Sequence, residues 1–485
     1  MADNLQQKTF SGMIWTFAQH FSLEGFGFIQ GVILARLLVP RDYGLIAMTQ
    51  IFFSVARVFI DSGFSNALMR KKYREEIDYS TVFVTNFVLT FLFAILLFIC
   101  APFIANFYEE PILNDIVRAN AFIMILNSVN AVQATRLRIN LQFKIYGFIN
   151  VVNNVTIGIG IIIFAYLGFG VWSLIYPNFI SPFLKFGLFW YYQRWRPKWN
   201  FSWRIWHEFF SYGSKLLVSS LIDKIWSNLN SLIIGKTYSA VDLGYYSRAG
   251  SYASMPANTF QSVLGSVTFP VLCSINNDDA RLRDAYRRLI RVSGYVVFPL
   301  LMGLAALAKP VILVLITDKW AASIPYLFVI CFSAMWRPIH ILNLNLLQVK
   351  GRSDLFLKLE IIKKIIALFI LLITMRISVL AMCFGFVVNS YLCLYINTYY
   401  TGKRIQVGFL RQMMDLLPSF LYSLSMGALV YTTTLFIPSM LIKLLVGIIL
   451  GIAYYLFVSI LFKSKELTYV KSLLKDNLIS KFERN

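Results

Sequence analysis

The chain has 485 residues, of which 58% are hydrophobic, 16% aromatic and only 14% charged, and its mean hydropathy is +0.66. A water-soluble protein cannot bury that much apolar surface, so the composition excludes a soluble globular domain and indicates that the bilayer is the main solvent. The formal net charge of +22 would fit nucleic-acid binding in a soluble protein, but membrane proteins collect Lys and Arg in their cytoplasmic loops, and no nucleic-acid partner is predicted.

The N-terminal segment has no signal-peptide pattern. It lacks a basic stretch, a short apolar core and a small-residue cleavage site, so we expect the first helix to be retained. The cysteines lie in or beside apolar runs and form no CxxC pair, which argues against a disulfide framework and against a zinc site. The five are Cys100, Cys273, Cys331, Cys383 and Cys393.

Apolar runs follow one another along the whole chain with little sequence between them. A run of roughly 20 apolar residues crosses the hydrocarbon layer as a helix. The sequence therefore predicts an all-α membrane protein of about fourteen transmembrane helices, arranged as two six-helix lobes and two C-terminal helices. The stretch 311–316 fits either part of a span or a short interfacial helix. The predicted spans are 10–35, 43–66, 80–105, 113–135, 146–167, 169–192, 209–235, 243–272, 290–308, 322–348, 361–377, 379–400, 413–436 and 440–462.

The spans and their connectors predict five segments in chain order. An N-lobe covers 1–193, a basic, Trp-rich linker 194–208, a C-lobe 209–402, two further helices 403–464 and a basic tail 465–485. With the N-terminus in the cytoplasm, 31 of the 45 Lys and Arg residues fall in cytoplasmic segments and 8 fall in outside segments. This bias follows the positive-inside rule and predicts that both termini, the linker and the tail are cytoplasmic.

An internal repeat joins the first two spans of each six-helix series. LARLLVPRDYGLIAM (34–48) and IIGKTYSAVDLGYYS (233–247) place a basic residue at the end of one helix, then Asp and Gly at the start of the next. The Asp is expected to be the N-cap of that next helix. Two homologous six-helix lobes are typical of transporters that move about a central site. The matching residues, 200 positions apart, are Arg36 and Lys236, Asp42 and Asp242, and Gly44 and Gly244.

Polar and charged side chains recur at helical spacing inside several predicted spans. They form stripes at 50–61 in the second span, 211–231 in the seventh and 248–262 in the eighth. A charge at the centre of a span costs about 2.5–3.5 kcal/mol on insertion scales, so such residues face protein or water. Because the repeat relates these helices, the stripes predict a water-filled cleft between the lobes. Lys185 and Arg337 are isolated cations in spans, for which binding and packing roles stay equally open.

Cations in such a cleft would suit an anionic ligand. A diphosphate stripped of water needs Lys or Arg donors, and Arg can bind two oxygens at once. The alternative is that Arg57 with Asp61, or Lys215 with Asp223, neutralise one another and only stabilise packing. The residues predicted to bind the substrate are Arg57, Lys215, Lys224 and Arg248.

Carboxylates inside the spans could bind and release H⁺ or Na⁺ during transport. Charge balance is the alternative, and it is preferred for Asp61 because Arg57 lies one turn away. His20 and Glu24, one turn apart in the first span, form the better coupling candidate. The residues considered for ion coupling are His20, Glu24, Asp61 and Asp223.

Catalytic and metal-binding motifs are missing from the sequence. There is no HExxH, Walker A loop or GxSxG, and the three histidines, His20, His207 and His340, are widely separated in the sequence. The sequence therefore predicts a protein that is not an enzyme and has no cofactor or metal site, with H⁺ or Na⁺ as the candidate coupling ion.

Four segments resemble the polysaccharide-transporter family of the multidrug/oligosaccharidyl-lipid/polysaccharide (MOP) flippase superfamily. The similarity covers nearly the whole chain, most strongly its first 360 residues. Within that family the chain is similar to the Wzx-type exporters of O-antigen and capsular repeat units. The segments are LARLLVPRDYGLIAM (34–48), IDSGFSNALMRKK (60–72), LGYYSRAGSYASMPANTFQSVLGSVTFPVL (243–272) and TDKW (317–320).

The resemblance implies a MATE-like fold with two six-helix lobes around a cationic cavity, often followed by two extra helices. It also implies an undecaprenyl-diphosphate oligosaccharide as substrate, moved from the cytoplasmic to the periplasmic leaflet of the bacterial inner membrane. A polysaccharide polymerase and a chain-length regulator are the further partners that such a role implies.

Two other functions stay open at this stage. A MATE-like drug or cation antiporter should have a cavity dominated by carboxylates and aromatic residues, and the four favoured cations argue modestly against it. A membrane glycosyltransferase or polymerase needs catalytic groups on a sizeable periplasmic loop, whereas the longest outside connector, 309–321, is short. In a receptor or scaffold protein, the charged residues inside the spans would have no functional role.

Overall fold

The computed structural model of this chain describes residues 22–469 except 62 and 194, and of the side chains also not those of 215, 216, 262–267, 270 and 353. Helices make up most of this part of the chain, and no β-strand occurs in it. The helices of its first half are α1 (described over 22–37), α2 (Pro40–Asp61), α3 (Phe64–Arg70), α4 (Glu76–Tyr108), α5 (Ile112–Ser128), α6 (Ala131–Ile139), α7 (Phe143–Tyr166), α8 (Ile180–Tyr192) and α9 (Trp203–Thr237).

The second half continues with nine helices over the described residues. They are α10 (Ala240–Ser274), α11 (Asp279–Ala306), α12 (Ala308–Ile316), α13 (Ile324–Ala334), α14 (Arg337–Val349), α15 (Ser353–Thr374), α16 (Val379–Ile405), α17 (Phe409–Leu435) and α18 (Met440–Leu461).

Each predicted span has a helical counterpart, so the all-helical, multi-pass fold is confirmed. Within the described ranges, eight helical stretches are long and apolar enough to cross a membrane, or nine if α5 and α6 count as one span. α9 and α10 fall outside these eight because Ser, Asn and charged side chains interrupt their apolar sequence. Two of the three helices with predicted polar stripes, α9 and α10, are thus not apolar enough to count among the eight, whereas the third, α2, is one of them.

Two spans that were predicted as single helices are broken. The span predicted at 113–135 consists of α5 and α6, which meet at an angle of 44°. The span predicted at 322–348 consists of α13 and α14, with Pro338 in the first turn of α14. Proline is well tolerated in a first helical turn, where its missing N–H has no helical partner anyway, so it starts a new helix there.

Two other predicted spans differ in their ends. The stretch 311–316 belongs to a separate short helix, α12, whose Ile312 and Ile316 are fully buried, so this helix packs inside the protein. The span predicted at 169–192 starts as two short 3-10 turns and becomes α-helical only at Ile180.

The chain separates into two compact units, Met1–Gly244 and Tyr245–Asn485. In the first unit, α9 packs on α2, α3 and α4. The unit boundary therefore lies later in the chain than the linker 194–208, at which the sequence divides the two lobes. The division into lobes at that linker stays a prediction.

The linker itself is packed into the first unit. Trp195 is buried in an apolar cluster with Phe64, Phe83 and Phe209. Its indole Nε1–H donates a hydrogen bond to Glu76 Oε1 at 2.6 Å. The Trp-rich sequence thus holds the start of α4 close to the start of α9.

The two C-terminal helices belong to the core of the second unit. α17 packs along α11, and α18 packs on α12 and α17. The Tyr455 hydroxyl donates to the backbone oxygen of Tyr295 at 2.8 Å. At the other end of α11, Arg287 binds Asp415 through two hydrogen bonds of 2.7 Å each. A bidentate pair of this kind fixes the position of α11 relative to α17.

The repeated hairpins have similar helix starts, but the Asp is not the N-cap. In α2 the backbone N–H of Val39 donates to Asp42 Oδ2 at 3.1 Å. In α10 the Ser239 hydroxyl donates to Asp242 Oδ2 at 2.6 Å, while the Asp242 N–H donates to Ser239 Oγ at 3.0 Å. Each Asp therefore occupies the third helical position and reaches back to the cap residue, as in a capping box. The sequence thus predicts both helix starts three residues too late, at 43 and 243 instead of 40 and 240, and assigns the cap to the wrong residue.

The repeated glycines serve a contact that the sequence does not reveal. A Cβ atom on Gly44 would lie 1.7 Å from the backbone oxygen of Ala240, and one on Gly244 would lie 1.9 Å from the backbone oxygen of Pro40. All four residues belong to the first compact unit. The starts of α2 and α10 thus make a reciprocal contact. Each glycine packs against the backbone of the first residue of the other helix, as in a two-fold interface.

Candidate functional site

α2 carries a polar face that is accessible to solvent. Gln50, Arg57 and Asp61 are exposed, Ser54 is half-buried, and the opposite face is packed in the first unit. No large hydrophobic side chain of 40–61 is exposed. The stripe predicted on the second span is therefore real, and it points away from the packed face of its helix.

The neighbouring α4 shows what a lipid-facing surface looks like in this chain. Its exposed residues in mid-helix include Phe91, Leu92, Ile95, Phe98 and Ile99, all apolar. Lipid tails cannot solvate the charges of α2 in the same way. The exposed face of α2 must therefore meet water or other polar groups.

The cation of this face belongs to a cluster of four charged residues within the first unit. Arg57 and Arg138 are the charged neighbours of the Asp61 carboxylate. Arg57 is also the charged neighbour of Lys185, on α8. Two cations thus share the Asp61 carboxylate and Lys185 adds a third positive charge beside Arg57, so a second anion would be attracted to the cluster.

Contacts between three helices explain how these distant residues meet. The Thr135 hydroxyl donates to Ser65 Oγ at 3.4 Å, which sets α6 beside α3. The Asn130 amide donates to the backbone oxygen of Pro182 at 3.0 Å, which sets the start of α6 beside α8. Arg138 lies one turn beyond Thr135 on α6. The break between α5 and α6 therefore directs α6, and with it Arg138, toward the polar face of α2.

α9 presents the second set of predicted residues. Asp223 and Lys224 are exposed, while the side chain of Lys215 lies outside the described part of the structure. Asn228 donates through Nδ2 to Ser54 Oγ of α2 at 3.2 Å. α2 and α9 are therefore joined by a polar contact within the first unit, next to the predicted stripe residue Ser227.

α10 repeats the two-faced pattern in the second unit. Ala249, Tyr252, Ala253 and Ala257 are buried, whereas Ser251 and Asn258 are exposed. Arg248 is half-buried, and its guanidinium carbon lies 4.9 Å from the centre of the Tyr252 ring. A cation held on an aromatic face keeps its charge and can still donate hydrogen bonds to an anion. The stripe predicted on the eighth span is confirmed up to Asn258.

The coupling candidates are dispersed. Glu24 is exposed on α1, and Asp223 is exposed on α9. Asp61 lies in the cation cluster of α2. His20 lies outside the described residues, so its pairing with Glu24 stays a prediction. Among the described residues, no three His, Cys, Asp or Glu side chains are arranged to hold a metal ion.

Two cations near these faces were not among the residues predicted to bind the substrate. Arg138 lies beyond residue 135, where the fourth span is predicted to end, because the sequence does not show that this span breaks and continues as α6. For Arg337, at the start of α14, the sequence favours neither a binding nor a packing role. It donates through Nη1 to Ser254 Oγ at 3.3 Å and to Asn258 Oδ1 at 3.4 Å, and so joins the polar face of α10.

Ion pairs connect the end of α4 to the repeated hairpins. Arg41 Nη2 donates to Glu110 Oε2 at 2.6 Å, and Lys236 Nζ donates to Glu109 Oε1 at 2.9 Å. The hydrogen bond and charge of Lys236 lower the pKa of Glu109 below its usual value. These pairs lie next to the glycine contact in sequence and tie both hairpins to one helix end.

Comparison with known proteins identifies the family. Residues 33–325 match the family described as "Polysaccharide biosynthesis protein". The chain belongs to this family. Like other proteins of polysaccharide biosynthesis, it is similar to the teichuronic acid biosynthesis protein TuaB of Bacillus subtilis (strain 168), with 26% identity over 360 residues and 73% of each chain covered. It is also similar to the lipopolysaccharide biosynthesis protein WzxC of Escherichia coli (strain K12), with 23% identity over 362 residues and 74% of each chain covered.

Solved structures agree with the fold of this polysaccharide biosynthesis protein. The lipid II flippase MurJ in an inward closed conformation matches with a TM-score of 0.74 and 17% identity, covering 93% of this chain and 98% of MurJ. An inward-facing multidrug resistance MATE family transporter of the MOP superfamily matches with a TM-score of 0.61 and 16% identity, covering 80% and 94%. The MOP-like fold and the family resemblance are thereby confirmed.

Proposed function

We propose that the protein is a flippase that moves an oligosaccharide linked to undecaprenyl diphosphate from the cytoplasmic to the periplasmic leaflet of the bacterial inner membrane. Its product would feed the assembly of a surface polysaccharide such as O-antigen or capsule. One observation carries the proposal: α2 and α10, which are equivalent helices of the repeat, both expose polar faces with cations in a membrane protein of polysaccharide biosynthesis. It is a transporter and not an enzyme.

The cations supply what a diphosphate loses when it leaves water. Arg57, Lys215, Lys224 and Arg248 would neutralise the phosphate oxygens. Hydroxyl and amide groups such as those of Ser251 and Asn258 would bind the sugars. The polyprenyl tail would stay in the bilayer, because its removal from lipid would be costly. The two lobes would then alternate in access to the two leaflets.

Transport in one direction needs an energy source, and intramembrane carboxylates are candidates for coupling. Glu24, Asp61 and Asp223, together with His20, would bind H⁺ or Na⁺ in one state and release it in the other. Both termini would lie in the cytoplasm according to the distribution of basic residues. A polymerase and a chain-length regulator would act on the product.

A MATE-like antiporter is the second candidate, because the fold also matches a MATE transporter at a TM-score of 0.61. Such a protein exporting cationic drugs would need acids in excess on the exposed faces. On α2 and in its charged neighbourhood, Arg57, Arg138 and Lys185 outnumber Asp61. The charge balance of that cluster favours an anionic substrate.

The test is to delete the gene in its host and follow lipid-linked repeat units in spheroplasts and in inverted membrane vesicles. In the deletion strain we expect the repeat units to accumulate in the cytoplasmic leaflet. A membrane-impermeant glycosidase would then reach them in inverted vesicles but not in spheroplasts. Re-expression of the chain should make them accessible in spheroplasts. Repeat units that reach the periplasmic leaflet equally well without the protein would refute the proposal, and restored export of a cationic dye instead would favour the antiporter.

A further inference from the structure

Arg337 lies at the break of a predicted span, on the first residue of α14, and is half-buried against α10. Its Nη1 donates to the hydroxyl oxygen of Ser254 and to the amide oxygen of Asn258, at 3.3 and 3.4 Å. Both distances are at the long end for hydrogen bonds, so each acceptor holds the guanidinium weakly. Ser254 and Asn258 lie one turn apart on the polar face of α10, and Asn258 is exposed.

No carboxylate between residues 22 and 469 compensates the charge of Arg337. Every Asp and Glu side chain between residues 22 and 469 is described, and none of them forms an ion pair with Arg337. Arg287 of the same unit, by contrast, binds Asp415 with two hydrogen bonds of 2.7 Å. A guanidinium has five donor hydrogens, and a cation left in a membrane protein without an anion is costly.

The described groups around Arg337 include no unpaired carboxylate. His340 lies one turn along α14 and has Arg337 and Lys363 as its charged neighbours. The ring of His340 is held by Ser390 Oγ, 3.1 Å from Nε2, and by Asn397 Nδ2, 3.3 Å from Nδ1. The nearby acid, Glu360, accepts a hydrogen bond from Lys363 instead. The neighbourhood therefore favours an anion that comes from outside the chain.

We infer that Arg337, Ser254 and Asn258 form an oxyanion-binding site for the substrate, which rests on the proposed flippase function and extends its binding set into α14. Arg337 offers a planar pair of donors that matches phosphate or carboxylate oxygens. The Ser254 hydroxyl and the Asn258 amide both accept from Arg337 now, and both can donate to an anion after rotation. The oxyanion would be the diphosphate of the carrier or a carboxylate of an acidic sugar.

The binding experiment uses the full chain purified in lipid nanodiscs. One probe is undecaprenyl diphosphate without sugar, and the other is a glucuronate-containing oligosaccharide without lipid. We expect Arg337→Gln to weaken binding of one or both probes by about tenfold or more. Arg337→Lys should recover part of the affinity. Arg352→Gln, which removes an arginine paired with Asp354 at the start of α15, is the matched control and should bind like the wild type.

The pattern of losses identifies the anion. A loss confined to undecaprenyl diphosphate assigns the site to phosphate, and a loss confined to the oligosaccharide assigns it to a sugar carboxylate. Equal binding of both probes by wild type and Arg337→Gln would overturn the inference and leave the flippase proposal standing. Wild-type protein that binds neither probe would count against the flippase proposal and the inference together.

A second variant covers the case that Arg337→Gln does not fold. Asn258→Asp keeps the Arg337 guanidinium but places a carboxylate beside it. This carboxylate would pair with the guanidinium and so compete with the anion of the substrate. We expect the same loss of affinity as for Arg337→Gln, with an unchanged melting temperature. Asn258→Ala, which adds no charge, should lose much less. Full affinity in Asn258→Asp would contradict the inference.

Discussion

α2 and α10 are equivalent helices of the repeat, and they agree in backbone and differ in charge. Both have an Asp at the third helical position, followed by a Gly that packs against the backbone at the start of the other helix. Below that contact, Arg57 of α2 shares a cluster with two more cations and Asp61. The arginines beside α10, Arg248 and Arg337, have a tyrosine ring, a hydroxyl and an amide as neighbours.

The comparison separates the scaffold from the binding surface. Where the backbones touch, a side chain larger than hydrogen cannot be accommodated, so the same residue is needed twice. Where the helices expose polar faces, no such constraint acts, and the two faces can differ. The cluster of α2, partly neutralised by Asp61, and Arg337 beside α10, which has no ion-pair partner among the described carboxylates, would therefore differ in how strongly each attracts an anion.

The glycine contact should give the largest effect. We expect Gly44→Ala and Gly244→Ala to destabilise the protein similarly, because each new Cβ would have to push a backbone carbonyl of the other helix away. Overpacking of this kind costs about 1–3 kcal/mol. The measurement is thermal unfolding in detergent, together with transport in the deletion strain.

Gly250→Ala is the control for this pair. Gly250 lies on α10 as well, but a Cβ there would meet nothing within 4 Å. Alanine has the higher helix propensity by roughly 0.5–1 kcal/mol, so we expect no loss of stability. If only one of the two contact variants were destabilised, or if either were as stable as Gly250→Ala, the contact would not be reciprocal.

Arg57→Gln tests the cluster of α2 and should have the next largest effect. Arg138 and Lys185 remain beside the vacated position. We therefore expect the affinity for undecaprenyl diphosphate to fall by roughly three- to tenfold, less than for Arg337→Gln. The double variant Arg57→Gln/Lys185→Gln should lose more than Arg57→Gln alone. A larger loss in Arg57→Gln than in Arg337→Gln would reverse the comparison between the two faces.

Asp61→Asn should have a smaller effect and the opposite sign on binding. The change removes the carboxylate from the cluster, so anions are attracted more strongly and we expect about two- to threefold tighter binding with slower turnover. If Asp61 carries the coupling proton, transport should also stop responding to a pH gradient. Asp354→Asn, at the ion pair with Arg352, is the control and should change neither quantity. Weaker binding in Asp61→Asn would indicate that Asp61 holds the arginines in place.

Much of the fold follows from the sequence because each span satisfies its own backbone. Apolar runs predict where helices cross the bilayer, and the helices found agree with nearly all predicted positions. The breaks in the fourth and tenth spans were missed, because apolar content alone does not record where a helix bends. Arg138 was missed for the same reason, since its position depends on the turn between α5 and α6.

The site is harder to predict than the fold, because the sequence does not distinguish a polar residue that is buried from one that is exposed. Asn343 of α14 lies only two turns from Arg337, yet it is fully buried and exchanges hydrogen bonds of 3.0 Å with Gln412. Such satisfied groups serve packing. Only the partners of each side chain show that Arg337 belongs to the exposed face and Asn343 to the core.

The ion pairs between the end of α4 and the two hairpins should have the smallest effect on stability. Because Lys236 lowers the pKa of Glu109, the pair contributes stability above the usual carboxyl pKa and loses it as the pH falls through the lowered value. Glu109 is almost fully solvated, so we expect Glu109→Gln to leave the melting temperature nearly unchanged between about pH 7 and pH 4. Glu110→Gln should lower it more, because Glu110 is only 18% exposed and binds Arg41 at 2.6 Å. A larger loss in Glu109→Gln would mean that Lys236, and with it the second hairpin, is held by charge as well as by the glycine contact.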